Sequence, residues 1–210
     1  APTCEQAVAY LAISGRSLAR RTLIGHIWPD SDPVRCLARL RNVIWKINVI
    51  VPDLVVGGEL DTRLHEEVRV DLDDARDLAN RLMSSTGRVA SVDTFDVLQH
   101  QLLADWDEEW LDVERRDFNI LRLRALEQVA RDRLEAACFF EAERACRTVI
   151  GAEPYRESAR LLLAEICIAE GNVGVAFSEL SEFARVLHDE LGIAPNHEIQ
   201  ELVASIQAQV

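Results

Sequence analysis

The chain has 210 residues, 49% of them hydrophobic, and a formal net charge of -13. That length suits one large or two small domains, and the apolar share is ample for a buried core. The acidic balance excludes a surface that attracts nucleic acid on all sides, and no apolar run approaches the ~20 residues of a membrane helix.

In chain order, Glu5 to Ile13 reads as a short helix that stops at Ser14-Gly15. Ser17 is the expected N-cap of a second helix, Leu18 to Trp28, which Pro29 ends. Asp32 caps a third, Pro33 to Ile50, with Pro33 at the first helical position, where its missing N–H costs nothing. Pro52-Asp53 closes it. Three short helices with a tight turn before the third form a helix-turn-helix pattern. Residues 54–70 change period: Leu54-Val55-Val56, Gly57-Gly58, then Leu60, Leu64, Val68 and Val70 suggest short strands joined by turns. A β-hairpin in that place is a wing, with Thr62 and Arg63 expected at its tip. From Asp71 onward only helices are expected. They are Asp73 to Met83, a linker at Ser84 to Arg88, Thr94 to Leu103, and Glu109 to Phe139 as one long helix or two meeting near Asn119.

The third helix carries the functional signal. At about 100° per residue, Arg35, Arg39, Asn42 and Lys46 stack into one polar stripe roughly 60° wide. Val34, Leu37, Leu40, Val43, Ile44 and Ile47 lie mostly on other faces. Arg and Asn are the side chains that read base edges bidentately in a major groove. Residues 1–52 hold seven cations against three acids, whereas residues 91–210 hold 24 acids and 11 cations. Phosphate would repel the acidic part, so DNA is expected to touch only the first. Arg16, Arg20, Arg21 and Arg41 join the candidate surface; the first three read equally as phosphate contacts or as solvated cations, with Asp30 and Asp32 near enough to pair with them instead.

A 34-residue repeat runs through the second half: Ala130, Leu134 and Ala142 recur as Ala164, Ile168 and Ala176. That period of paired helices is the tetratricopeptide signature, in which each pair buries its face on its neighbours. Other residue types favour bland roles. Five cysteines without a CxxC pair read as buried thiols of a reduced, cytoplasmic protein. Trp28, Trp106 and Trp110 read as packing anchors. Asp96 and His100 stand at i, i+4 but lack further metal ligands. No GxSxG, P-loop or GxGxxG occurs. No cofactor, metal or enzymatic activity is expected.

The stretches LLADWDEEWLDVERRDFNILRLRALEQVA (Leu102 to Ala130) and LHDELGIAPNHEIQEL (Leu187 to Leu202), with the turn at Glu153-Pro154, resemble the bacterial transcriptional activator domain, a tetratricopeptide-like helical module. GRSLARRTLIGHIWPDSDPVRCLARLRNVIWKI (Gly15 to Ile47), with its Trp28-Pro29 turn, is similar to the winged helix-turn-helix that precedes it in the Streptomyces antibiotic regulatory protein family. The resemblance implies a mainly α fold. An OmpR-type winged helix-turn-helix, without the N-terminal sheet of that type, would occupy residues 1–70. A tetratricopeptide-like helical domain would occupy residues 71–210. It implies a transcription activator that binds double-stranded DNA at promoter repeats. The third helix would lie in the major groove, and the helical domain would contact RNA polymerase subunits or a second copy of the chain. No membrane partner is implied. The chain begins Ala1-Pro2 without Met, as a processed start or a piece of a longer regulator would. The residues leave a second reading open: a protein-interaction module whose N-terminal helices no longer bind DNA.

Overall fold

The structure is a computed structural model, and it describes residues 3–84 and 92–208. It is mainly helical, with ten helices and three short strands among the described residues. After Ser84, the expected linker lies outside them. The chain divides into two compact units: residues 1–74 with 102–117, and residues 75–101 with 118–210.

The first unit opens with α1 (Thr3–Ser14), which buries Ala7 and Leu11 and stops at Gly15 with φ at 60°. Then follow β1 (Leu18–Ala19), α2 (Arg20–Ile27) and α3 (Pro33–Ile50). Strands β2 (Val55–Val56) and β3 (Asp61–Leu64) complete a three-stranded antiparallel sheet in the order β1-β3-β2. Leu18 pairs with Thr62 and Val55 with Leu64. This order of elements is that of a winged helix. β1 corrects the expected start of the second helix: Ala19, not Ser17, precedes α2. The Ser17 hydroxyl instead donates to Asp61 Oδ2 at 2.7 Å. Asp61 also accepts from the Gly58 N–H at 3.0 Å. These two donors, the hydroxyl first, hold its carboxyl below the usual carboxylate range. Gly57 is required in this hairpin: its φ is 152°, and a Cβ there would meet the Asp61 carbonyl oxygen at 2.5 Å.

α3 follows the expected chemistry. The Asp32 side chain accepts from the Val34 N–H at 3.0 Å, and Pro33 opens the helix. Cys36, Leu40, Val43 and Ile47, at helical spacing, are buried against Ala7, Leu11, Leu23 and Ile24. Asn48 ties α3 to β2, donating from Nδ2 to the Val55 carbonyl at 2.8 Å and accepting from the Val55 N–H at 3.0 Å.

Residues 102–117, placed by the sequence in the helical domain, pack with the first unit. Gln6 Nε2 donates to Glu108 Oε1 at 2.5 Å, and the Tyr10 and Trp110 rings meet edge-on with centroids 5.0 Å apart. The Arg115 guanidinium donates to the carbonyls of Leu102, Leu103 and Trp106.

The second unit is built from helices: most of α4 (Asp71–Ser84), α5 (Val92–Leu98), the later part of α6 (Leu111–Glu135), then α7 (Phe139–Ala152), α8 (Glu157–Ala169), α9 (Val173–Leu191) and α10 (His197–Gln207). The helix expected to reach Leu103 ends at Leu98. There the fully buried Arg122 takes the Leu98 and Gln99 carbonyls at 3.0 and 3.1 Å, satisfying helix-end acceptors that would otherwise be orphaned. Residues 109–139 hold one helix, α6, and α7 begins at Phe139.

The repeat is present in the packing. Ala130 and Ala164, and Ala142 and Ala176, are each 0% exposed, while Leu134 and Ile168 pack half-buried on the same core. Methyl side chains at these four positions let neighbouring helices approach closely. Ala142→Leu therefore overpacks the helical unit and destabilises the chain by about 1–3 kcal/mol. A thermal melt checks this, and a midpoint at or above the parent's contradicts it. Burial pushes the Cys146 thiol up to about 12, so this cysteine packs and does not react. Glu127, buried in the same unit, is met by Arg156 Nε at 2.8 Å and by the Ser158 hydroxyl at 2.6 Å.

Candidate nucleic-acid interface

α3 contains no acidic residue, and it presents Arg35, Arg39, Asn42 and Lys46 as exposed side chains along one face. The structure therefore brings the four predicted stripe residues together. The stripe begins at the capped end, where Arg35 Nε lies 3.9 Å from Asp32 Oδ2, an exposed pair that contributes little. Arg39 places its Cζ 4.6 Å from the centroid of the Trp28 ring. Among the described residues neither Arg39 nor Lys46 has a carboxylate partner. In the helical unit, by contrast, Arg147, Arg156 and Arg185 are each paired with acids.

Trp45 and Val49 are also exposed, 65% and 61%, and helical spacing puts them on one flank of the stripe. Val34, expected away from the polar face, is 76% exposed. The face is thus cationic with an apolar margin.

The other predicted residues distribute differently. Arg41 is exposed but lies about 120° round the helix from Arg35, off the stripe. Arg21 is exposed on α2. Arg16 and Arg63 line one cleft of about 280 Å³, together with Leu11, Leu64 and Val68. Arg20 is committed to the hairpin: its N–H donates to the Leu60 carbonyl at 2.9 Å and its Nε to the Asp61 carbonyl at 3.4 Å.

Thr62 is a correction. It is 1% exposed and its hydroxyl faces the Val56 carbonyl at 3.5 Å; Thr62 and Arg63, both expected at the wing tip, sit inside β3. The period-2 geometry of a strand turns Thr62 into the core and its neighbour Arg63 outward. The tip itself is residues 57–60, where Leu60 is 84% exposed.

Sequence reasoning missed two contributors, the Trp28 ring under Arg39 and the Asn48 bridge to the wing. A tryptophan beside a helix-ending proline is the only trace of the first.

Residues 88–207 match the family model of the bacterial transcriptional activator domain, more than half of the chain. The chain belongs to the bacterial transcriptional activator domain family. Over 205 residues it is 28% identical to the regulatory protein AfsR of Streptomyces coelicolor, and it is 27% identical over 214 residues to AfsR of Streptomyces griseus. Each alignment covers 92% of this chain, so both units take part. The chain spans about a fifth of the length of these curated relatives. It shares its fold with Mycobacterium tuberculosis EmbR, solved in complex with a low-affinity phosphopeptide, at a TM-score of 0.65 and 15% identity, over 100% of this chain and 60% of that one. The resemblance to the Streptomyces antibiotic regulatory proteins and to this helical family, read from the motifs, is borne out. No described helix is long and apolar enough to cross a membrane.

Proposed function

We propose that this chain is the DNA-binding and activator portion of a bacterial transcription regulator. In this reading α3 lies in the major groove of a promoter duplex, with Arg39 and Asn42 on base edges and Lys46 on phosphate. Arg16, Arg21 and Arg63 add phosphate contacts from the turn, α2 and β3. The helical unit then engages RNA polymerase subunits or a second copy. The observation that carries the reading is the acid-free, exposed row of Arg35, Arg39, Asn42 and Lys46 on a capped helix of a winged-helix unit. The regulatory names of the two relatives support it.

The interaction-module reading draws on an open groove of about 470 Å³ in the helical unit, lined by Leu161, Glu165, Glu198, Glu201, Leu202 and Ser205. Salt separates the two readings. A duplex from upstream of the chain's own gene, followed by fluorescence anisotropy at 50 and 200 mM salt, is expected to bind about 100-fold more weakly at the higher concentration if about four phosphates are neutralised. Absence of binding to that duplex and to its neighbours' promoters would move the function to the helical groove.

A further inference from the structure

We infer that Trp28 is a positioning residue for Arg39, and that Arg39 thereby reads a guanine. This rests on the DNA-binding reading above. Trp28 is a fixed platform. Its backbone N–H donates to the Ile24 carbonyl at 2.8 Å, its backbone carbonyl accepts from the Ser31 N–H at 3.2 Å, and its half-buried ring packs on the core of the first unit. The Arg39 guanidinium lies over that ring at 4.6 Å, well inside the range of a cation–π contact. Such a contact anchors the guanidinium carbon over the ring face. Its N–H donors form a planar fork. A guanidinium whose carbon lies over a fixed ring has a restricted position, so the N–H donors turned away from the ring are offered from a set place to a bidentate acceptor.

The other cations of the stripe are held differently. Arg35 is 88% exposed, and its Nε stands 3.9 Å from Asp32 Oδ2, a weak solvent-screened pair that fixes no orientation. Lys46 has a compact ammonium without a fork. Guanine O6 and N7 form the acceptor pair that an Arg fork matches in the major groove. Arg39 is thus the stripe cation prepared for a guanine, and Trp28 supplies the preparation.

The experiment uses the full 210-residue chain. A duplex is selected from a randomised pool, and its guanines are replaced one at a time by 7-deazaguanine, which lacks the N7 acceptor. The expected result is a loss of about tenfold in affinity at one guanine. Arg39→Lys abolishes that discrimination while keeping the salt dependence. Trp28→Leu abolishes it too. Tryptophan of increasing fluorination at position 28 keeps the shape and weakens the negative ring face, so the discrimination falls stepwise across the series. This series carries the test even if Trp28→Leu fails to fold, since a purely structural role for the ring would leave it flat. Discrimination that is lost in Arg39→Lys but unchanged across the fluorinated series overturns the inference and leaves the DNA-binding reading standing. No selected duplex at all overturns both.

Discussion

Replacing Arg39 and Asn42 together by alanine is expected to weaken binding to the selected duplex by about 2–6 kcal/mol, because each bidentate pair is worth roughly 1–3 kcal/mol of discrimination. The two side chains are exposed neighbours on one face of α3 and neither contributes to its buried side. The cost therefore falls on binding and hardly on folding. Base preference should relax at two positions, while affinity for unrelated duplexes changes only by the lost Arg39 charge. Competition anisotropy with single-base-pair variants measures both quantities. An unchanged specific affinity in the double variant, with the parent's helical circular dichroism, rules out base reading by this face.

The second large effect concerns the helical unit. Phe183→Ala is expected to cost about 3–5 kcal/mol, the range for truncating a buried aromatic. Phe183 is 2% exposed on α9 and packs in the common core of the repeat. Its ring also carries the Arg160 guanidinium at 5.1 Å, so the truncation opens a cavity and strips a cation of its platform. Urea denaturation of the full chain measures the loss. A change below about 1 kcal/mol would mean that this site collapses around the smaller side chain, contrary to the close packing described.

Much of this architecture was legible in local signals. Asp32-Pro33 announced the start of α3, and the cap bond to Val34 is the interaction that such a pair encodes. The small residues at 130, 142, 164 and 176 announced helix pairs because close approach of helices demands them. Family motifs at Leu102 to Ala130 and Leu187 to Leu202 did the rest for the helical unit. What escaped were contacts between residues far apart in sequence. β1 has two residues, too few to show alternation, and exists because β3 pairs with it. Ser17 resembles a cap by type, but Asp61, 44 positions away, claims its hydroxyl. Arg122 and Arg115 end or shape the segments at 98–106 through carbonyls that no periodicity reveals.

The candidate site divides the same way. Helical spacing put Arg35, Arg39, Asn42 and Lys46 on one face, and they are on one face. Side-chain direction in the β2–β3 hairpin depends on a register that strands of two and four residues do not display. So Thr62 was expected at the wing tip and is buried in β3, and Arg20, expected as a phosphate contact or a solvated cation, serves the hairpin. The Trp28–Arg39 contact joins the turn to α3 across the break between two helices, where no single periodicity runs through both residues.

On a promoter duplex, the exposed face of α3 is expected to meet DNA. The most direct measurement is photo-crosslinking from p-benzoylphenylalanine placed at Ala38, an exposed small residue bordering the stripe, with Val175, 48% exposed in the helical unit, as the comparison site. A crosslink to duplex DNA is expected from position 38, suppressed by unlabelled specific duplex, and none from position 175. Crosslinks from 175 alone, or measurable DNA binding with none from 38, would contradict it.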